Sequence, residues 1–297
     1  MKKLVIVDGS GFLFRAWFAF PPMINAQGNN QNVLYGFTRM ILKLIDETAA
    51  DYFIIARDSP VKTKRHELYP DYKGTRPKID DDFKQQIPQV HKLIEELGIP
   101  TYQAPGYEAD DIIFSFVREY QKKTDLTLEV VSSDKDLKQL LQANVVITDA
   151  AKNQTTTLLT FQQEWGFSPE HIVDYLALIG DSADNIKGVA GIWPKGAMTL
   201  VQTYGSIENI YDHLWDLSPK LAEKLSVGKD DAFFSKKLIE LMQVPQIQGI
   251  DLETWQSSKN IEQWEQILLN QYGFSSLQKL LESLKKKYAM PQQLGLF

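Results

Sequence analysis

Short apolar runs that end next to carboxylates are the feature that most restricts how this chain can fold. The clearest runs are residues 4–7, 52–56 and 126–131, and each is followed within three positions by an aspartate. Short β-branched runs followed by turn residues are typical of buried strands in a parallel sheet. Open α/β sheets bind ligands beyond the carboxyl ends of their strands. The pattern therefore predicts one sheet with negative charge concentrated along one edge.

Nine acidic residues, in five places along the sequence, belong to this predicted edge. They are Asp8, Asp58, Glu108, Asp110, Asp111, Asp134, Asp136, Asp181 and Asp184. Neighbouring carboxylates raise one another's pKa or recruit cations. Because oxygen ligands suit hard divalent ions, we predict a site for two Mg²⁺ or Mn²⁺ ions. For Glu108, Asp134 and Asp181 taken singly, capping of a helix N-terminus is the alternative role.

The net charge of -6 does not argue against a polyanionic substrate. Setting aside the nine clustered carboxylates leaves 29 of the 38 acidic residues against 32 Lys and Arg, a balance of +3. Basic residues are concentrated between positions 62 and 78, as expected for a surface that meets a polyanion. The sequence has no apolar stretch of membrane-spanning length and no cysteine. We therefore predict a cytoplasmic protein that does not contact a membrane.

Strand-like and helix-like patterns alternate in the first half of the chain, and helices dominate the second half. Alternation of this kind indicates a parallel α/β sheet. We predict an α/β core over residues 1–175, interrupted by a basic insertion at about residues 60–97. A helical domain is predicted over residues 176–290, with a hairpin at about residues 186–200, followed by a tail over residues 291–297.

Five motifs, in family order along the chain, resemble those of the 5′-nuclease family. This family comprises the flap endonucleases and the N-terminal 5′→3′ exonuclease domain of bacterial DNA polymerase I. The matching stretches are VDGS at 7–10, RHELYPDYK at 65–73, GYEADD at 106–111, SDKDL at 133–137 and GDSADNI at 180–186. The resemblance implies a parallel-sheet, PIN-like core with a helical arch, and a C-terminal helical region that contains a helix-hairpin-helix-like motif.

The resemblance also implies roles for the carboxylates in a two-metal hydrolysis of phosphodiesters. One ion is expected nearer to Asp8, Asp58, Glu108 and Asp110. The second is expected nearer to Asp134, Asp136, Asp181 and Asp184, with Asp111 between the two ions. Lys73 and Arg76, in the arch, are expected to approach the scissile phosphate and to take part in catalysis.

Further positions that match the family are expected to contact DNA. Arg65, Tyr69 and Tyr72 would flank a single strand by charge and stacking, His66 is a further candidate for a DNA contact, and Arg15 matches a position near the substrate phosphate. The alternative for the basic insertion is an ordinary solvated loop. A separate departure from the family is Arg57, which stands where an apolar residue is usual and requires a carboxylate partner.

The predicted hairpin resembles one that grips duplex phosphates through backbone N–H groups, often with a K⁺ ion. Lys187, Gly188, Gly191 and Lys195 are the expected DNA-binding residues. Three positions depart from the family pattern, namely Lys187, Trp193 and Gly196. These departures predict weakened but retained duplex binding, and they leave open whether the hairpin holds K⁺.

The last residues resemble the short peptide with which bacterial replication proteins dock on the β sliding clamp. The anchors would be Gln293, Leu294, Leu296 and Phe297, and the alternative is a disordered tail or one folded back on the core. Together these features predict a monomeric 5′→3′ exonuclease and flap endonuclease for replication and repair, acting on nicked, flapped or RNA-primed DNA. The alternatives are a non-catalytic, structure-specific DNA-binding protein with the same fold and a related nuclease that acts mainly on RNA.

Overall fold

The computed structural model describes residues 1–256 and 259–288, so the predicted clamp-binding tail lies outside the described residues. The chain forms two compact units. The first unit comprises Met1–Arg57, Ile79–Tyr102 and the chain from Ile250, and the second comprises Asp58–Lys78 and Gln103–Gly249. Both units are therefore assembled from separated stretches of sequence. The predicted division near residue 175 stays a prediction.

Strands and helices alternate up to about residue 180, and helices dominate beyond it. The strands are β1 Lys2–Asp8, β2 Tyr52–Arg57, β3 Thr101–Gln103, β4 Leu126–Val131, β5 Val145–Asp149, β6 Gln154–Thr156, β7 Gly180–Asp181 and β8 Ile186–Lys187. The α-helices are α1 Gly9–Ala19, α2 Asn32–Thr48, α3 Lys64–Leu68, α4 Asp81–Glu96, α5 Ala109–Tyr120, α6 Leu158–Trp165, α7 Ile172–Ile179, α8 Pro194–Tyr204, α9 Ile207–Asp212, α10 Pro219–Val227, α11 Lys229–Ile239, α12 Ile261–Glu265 and α13 Gln278–Tyr288. The predicted class, a mostly parallel sheet with helices and a helical C-terminal region, is confirmed.

In the first unit, β1 and β2 pair in parallel, from Leu4 opposite Tyr52 to Asp8 opposite Ala56. The core of β1 is fully buried, as expected for a parallel strand covered on both faces. The turn from β1 into α1 requires glycine, because a Cβ on Gly9 would lie 2.6 Å from the Ala56 carbonyl oxygen. Asp8 ends the strand and caps α1, accepting a 3.0 Å hydrogen bond from the backbone N–H of Gly11.

The departure at Arg57 has a structural explanation within the first unit. Its Nη1 lies 3.1 Å from Glu95 Oε1, so the carboxylate partner that this position requires is present on α4. The guanidinium is mostly buried, and its Nε has no hydrogen-bond partner among residues 1–256 and 259–288. Burial and the nearby Arg57 charge lower the pKa of His91 to about 4. The local cluster therefore carries positive charge on Arg57 and keeps His91 neutral.

The second unit contains the remaining long strands and the hairpin. Strands β4 and β5 pair in parallel, and β5 pairs with β6 in antiparallel fashion. Helix α7 packs against α11 and leads into the small antiparallel pair β7–β8. Glycines permit this tight turn, because a Cβ on Gly180, where φ is +75°, would lie 2.4 Å from the Gly188 nitrogen. Across the described part of the chain, no helix has the length and apolar character needed to cross a bilayer.

Candidate active site

Eight of the nine predicted carboxylates belong to the second unit, and Asp8 belongs to the first. Asp58 is exposed directly after β2, and its Oδ1 accepts a 2.8 Å hydrogen bond from the backbone N–H of Ala109. This contact holds the loop after β2 against the first turn of α5. Asp110, in the same turn, is half-buried.

Asp134 and Asp136 lie in the loop after β4, which folds back on itself. Asp134 Oδ1 accepts a 2.9 Å hydrogen bond from the N–H of Asp136, and the N–H of Asp134 donates to Ser132 Oγ at 3.1 Å. Burial and the Asp134 charge raise the pKa of Asp136 to about 8, and burial also raises the pKa of Asp134. Asp136 Oδ1 is buried without a hydrogen-bond partner in the described chain. Burial and mutual repulsion therefore favour a proton on this pair at neutral pH, and the nearby charge of Lys135 offsets the repulsion only in part.

Asp181 lies at the start of the hairpin and pairs with Lys135. Its Oδ1 accepts a 2.8 Å hydrogen bond from the Ala183 N–H, and its Oδ2 lies 2.9 Å from Lys135 Nζ. Burial opposes ionisation of Asp181, but the Lys135 ammonium and the backbone donors outweigh it and hold the pKa below its usual range. Asp181 and Asp184 also contribute to the raised pKa of Asp136, so the two acidic loops are close enough to interact.

Glu108 precedes α5 and is buried among three donors. Its carboxylate accepts hydrogen bonds from Lys73 Nζ at 2.8 Å, from the Tyr72 hydroxyl at 3.1 Å and from Arg65 Nη1 at 3.3 Å. The Tyr72 hydroxyl lies 3.0 Å from Asp184 Oδ2 as well, and burial with these carboxylates raises the pKa of Tyr72. Burial alone would lower the pKa of Lys73, but Glu108 and Asp184 raise it, so Lys73 carries its positive charge.

Arg65 does not have the predicted position beside a single strand. Its side chain is 3% exposed, and it grips Asp111 through two bonds of 2.8 and 2.9 Å. Its remaining donors reach the carbonyls of Leu238 and Glu240 and the carboxylate of Glu108. Asp111 is fully buried and also accepts the Met242 N–H. The prediction for Arg65 is wrong because all of its donors are used inside the protein, and this pair ties α3 to α5 and to the end of α11.

The two remaining aromatic candidates differ in exposure. Tyr72 is only 4% exposed, so its ring cannot stack on a nucleobase as predicted. Tyr69 is half-buried and packs edge-on against Phe234, with ring centroids 5.7 Å apart. His66, also half-buried, places its Nδ1 2.8 Å from Thr63 Oγ1 and its ring against Tyr72. Arg15 lies in the first unit, with its guanidinium 5.5 Å from the centre of the Phe12 ring.

The chain around Lys73 is joined to the Asp184 loop by its backbone. The Lys73 N–H donates to the Asp184 carbonyl at 3.0 Å, and Asn185 Nδ2 donates to the Asp71 carbonyl at 2.9 Å. Arg76 pairs with the Asp184 carboxylate and donates to the Ala183 carbonyl at 3.2 Å. Lys73 and Asn185 both adopt left-handed backbone conformations, with φ of 58° and 56°. The arch residues and the hairpin carboxylates are thus held as one local framework.

The hairpin exposes its two predicted lysines. Lys187 and Lys195 are both exposed, and Trp193 between them is 75% exposed. Gly191, with φ +79°, is fixed by Lys224, whose Nζ donates to its carbonyl oxygen at 3.0 Å. The exposed surface of the hairpin therefore combines two positive charges with one large aromatic side chain. The Gly191 carbonyl already accepts a hydrogen bond from an ammonium group.

Sequence reasoning overlooked Lys135, although it stands between two predicted ligands. The signal was present in the motif SDKDL, where a lysine separates two aspartates. Within residues 1–256 and 259–288, no three His, Cys, Asp or Glu side chains form a ready-made group for a metal ion. Cationic side chains pair with four of the predicted carboxylates: Lys73 with Glu108, Arg76 with Asp184, Lys135 with Asp181 and Arg65 with Asp111.

Comparisons with known proteins agree with this architecture. Residues 3–166 match the family model described as 5′-3′ exonuclease, N-terminal resolvase-like domain, and residues 167–263 match 5′-3′ exonuclease, C-terminal SAM fold. The protein named 5′-3′ exonuclease from Aquifex aeolicus (strain VF5) is 35% identical over 298 residues, which covers 100% of both chains. DNA polymerase I of Caldicellulosiruptor bescii is 37% identical over 246 residues, which covers 81% of this chain but only 29% of that protein.

Solved structures show the same fold at low sequence identity. A complex of the flap endonuclease of bacteriophage T5 with DNA and metal ions has a TM-score of 0.68 and 21% identity, and the match covers 96% of this chain and 97% of that one. The catalytic core of Rad2 in complex with DNA substrate has a TM-score of 0.60 and 18% identity, covering 95% of this chain and 92% of that one. These likenesses establish the fold.

Proposed function

The chain belongs to the 5′-3′ exonuclease family, and from this membership we propose that it is a structure-specific 5′ nuclease. In this role it acts as a 5′→3′ exonuclease and flap endonuclease, hydrolysing phosphodiesters of nicked, flapped or primer-bearing DNA with the help of divalent ions. The observation that carries the proposal is the buried pair Asp134–Asp136: burial and mutual repulsion raise the pKa of Asp136 to about 8, and its Oδ1 has no hydrogen-bond partner among the described residues.

The residues of the second unit fit a hard divalent cation. The donors are all carboxylate oxygens, which Mg²⁺ and Mn²⁺ prefer. Asp136 Oδ1 is buried without a hydrogen-bond partner in the described chain, and the pKa of Asp136 is raised. A cation bound here would stabilise the ionised form of Asp136. We assign Asp134, Asp136, Asp181 and Asp184 to one ion. A second ion at Asp58, Glu108 and Asp110 is the further proposal, while Asp111 is paired with Arg65. Asp8 belongs to the first unit, and its role as a ligand stays a prediction.

The bound ions would supply Lewis-acid stabilisation of the charge that develops during phosphodiester hydrolysis. The protein's own contribution comes from Lys73 and Arg76. Both are cationic, and both are placed on carboxylates of the site, at Glu108 and Asp184 respectively. A cation held in this way can stabilise negative charge on a phosphate without reorganising during the reaction. The Tyr72 hydroxyl lies 3.1 Å from Glu108 Oε2 and 3.0 Å from Asp184 Oδ2, so its single proton bonds one of these carboxylates at a time.

Duplex DNA is proposed to lie on the hairpin. Exposed Lys187 and Lys195 supply charge, and the backbone around Gly188 and Gly191 can approach a phosphate closely. The exposed Trp193 replaces a residue without a side chain and would hold the backbone away from the duplex. Because Lys224 already donates to the Gly191 carbonyl, we expect an ammonium contact there in place of any dependence on K⁺.

A cleavage assay tests the proposed function directly. The protein is incubated with an end-labelled 5′-flap duplex, with Mg²⁺, with Mn²⁺ and with EDTA, and the products are sized on a denaturing gel. We expect cleavage near the flap junction with either ion and none with EDTA, because a carboxylate site without a cation repels the phosphate. The same duplex without a flap or nick is the control substrate. Tight flap binding without any metal-dependent cleavage would instead favour the non-catalytic DNA-binding alternative.

The clamp-binding tail is a second, separable proposal that rests on sequence alone. A terminal peptide with two apolar anchors is recognised by a pocket on its partner. Deleting residues 293–297 is expected to abolish association with a bacterial β sliding clamp in size-exclusion chromatography, while flap cleavage on bare DNA is unchanged. The double variant Leu296→Ala, Phe297→Ala is the matched control, because it removes the two apolar anchors and keeps the length of the chain. Clamp binding that survives the deletion would contradict the proposal.

A further inference from the structure

Lys135 is the one cation in the described chain that stands between two proposed metal ligands in sequence and pairs with a third. Its Nζ lies 2.9 Å from Asp181 Oδ2, while Asp134 and Asp136 flank it in the loop after β4. The Lys135 side chain is 46% exposed, whereas the Asp181 side chain is 13% exposed. The Asp181 carboxylate is therefore mostly buried in the protein, and the Lys135 side chain reaches it from the solvent side.

Lys135 and Arg76 pair with only two of the four carboxylates proposed for this ion, Asp181 and Asp184. Lys135 compensates Asp181, yet Asp136 Oδ1 stays buried without a partner among the described residues. A divalent ion brings twice the charge and prefers several oxygen ligands at once. The ammonium and the ion would therefore compete for Asp181, and the ion has additional ligands that the ammonium does not reach.

Lys135 can also dissociate from Asp181 at little cost in free energy. Its ammonium is a compact charge on a flexible four-carbon stem, and a half-exposed side chain regains solvent when it is released. Arg65 offers the contrast, because its guanidinium is 3% exposed and is held by two bonds to Asp111. Release of Arg65 would leave a buried charge on each side, which costs far more than release of Lys135.

We propose that Lys135 is a displaceable counter-ion, which holds Asp181 when no divalent ion is present and is expelled from it when the ion binds. This inference rests on the proposed function, since it requires that Asp181 be a ligand of the ion. Its consequence is that the apparent affinity for the ion is set by competition with the protein's own ammonium. Removing that ammonium should tighten binding of the ion.

The test counts free Mn²⁺ by electron paramagnetic resonance during titration of the full chain without DNA. Lys135→Met is expected to bind Mn²⁺ about fivefold more tightly than the wild type, the scale of a partly exposed ion pair. Lys138→Met is the charge-matched control, because Lys138 lies in the same loop region but its ammonium faces the Trp165 ring at 5.2 Å. Lys135→Arg, which keeps the charge, and Lys138→Met should both stay within about twofold of the wild type.

The possible outcomes separate the two proposals. If Lys135→Met and Lys138→Met bind Mn²⁺ equally well, or if Lys135→Met binds it more weakly than the wild type, the counter-ion role is overturned while the metal site stands. If the wild type binds no Mn²⁺ at all, the proposed function fails and this inference fails with it. Thermal unfolding of each variant confirms that it is folded, and Lys135→Gln replaces Lys135→Met if that variant does not fold.

Discussion

Replacing Asp136 by asparagine is expected to abolish metal-dependent cleavage and, at the same time, to stabilise the metal-free protein at alkaline pH. The activity falls because a proposed ligand is lost, and even outer partners of metal ligands cost 10- to 100-fold when they are removed. We therefore expect the flap-cleavage rate to drop by more than about 100-fold. The stability rises because a buried carboxylate, with Oδ1 lacking a hydrogen-bond partner among the described residues, is replaced by a neutral group of the same shape.

The pH dependence follows from the raised pKa of Asp136. Burial and Asp134 raise that pKa to about 8, above its value of 3.8 in an unfolded chain. Between these values the folded protein retains a proton that the unfolded chain has released. The stability contributed by this group is therefore fully present below about pH 4 and is lost as the pH rises toward about 8. In the Asp136→Asn variant this loss should be much smaller, although Asp134, whose pKa is also raised, still contributes.

Thermal unfolding of the metal-free protein from pH 5 to pH 9 measures this effect. Asp125→Asn, at an exposed turn, is the matched control for the loss of one carboxylate. Adding Mg²⁺ should raise the melting temperature of the wild type at pH 8 more than that of Asp136→Asn, because ligands stabilise the state that binds them. If Asp136→Asn cleaved at the wild-type rate, or if its stability fell with pH as steeply as that of the wild type, Asp136 would not be the charged centre of the site.

Replacing Lys73 by alanine is expected to slow cleavage by about 10²- to 10³-fold and to change DNA binding by far less. The ammonium of Lys73 is charged, is mostly buried and stands 2.8 Å from Glu108 within the carboxylate group. A positioned cation of this kind acts on charge that develops in the transition state, so its loss affects the rate more than the affinity.

Single-turnover cleavage and fluorescence anisotropy on the same 5′-flap duplex distinguish the two effects. Lys152→Ala, an exposed lysine paired with Asp149 at the end of β5, controls for the loss of one positive charge. Lys73→Arg should recover part of the rate, because it restores the charge with a different geometry. Equal losses of rate and affinity in Lys73→Ala would show that this lysine only binds DNA.

Local sequence patterns were sufficient for the strands and for the acidic loops. The apolar runs that precede Asp8, Asp58 and Asp134 form β1, β2 and β4, as their composition predicts. These features depend on residues that are close in the chain or in a recurring motif, which is why they could be predicted. The approach of Lys73 and Arg76 to the scissile phosphate stays a prediction, and their ion pairs with Glu108 and Asp184 were not predicted.

Burial of the charged residues could not be predicted in the same way. Arg65 lies in a basic run that is typical of a solvated loop, yet its Nε donates to the carbonyl of Leu238, 173 positions away. The burial of its guanidinium depends on the position of the C-terminal end of α11, and no sequence pattern near residue 65 predicts that position. Tyr72 is likewise buried by contacts with Glu108 and Asp184 from two distant segments. Long-range packing decides whether a polar side chain meets DNA or supports the fold.

The left-handed backbone at Lys73 has a consequence for attempts to make the protein more heat-tolerant. A non-glycine residue in this conformation is strained by roughly 1 kcal/mol, and glycine substitutions commonly relieve such strain. At Ala49, which follows α2 with φ 48°, glycine would remove strain from an exposed turn. At Lys73, with φ 58°, glycine would remove the ammonium together with the strain. Engineering for thermostability should therefore spare the turn at Lys73, where the strained backbone carries the ammonium that pairs with Glu108.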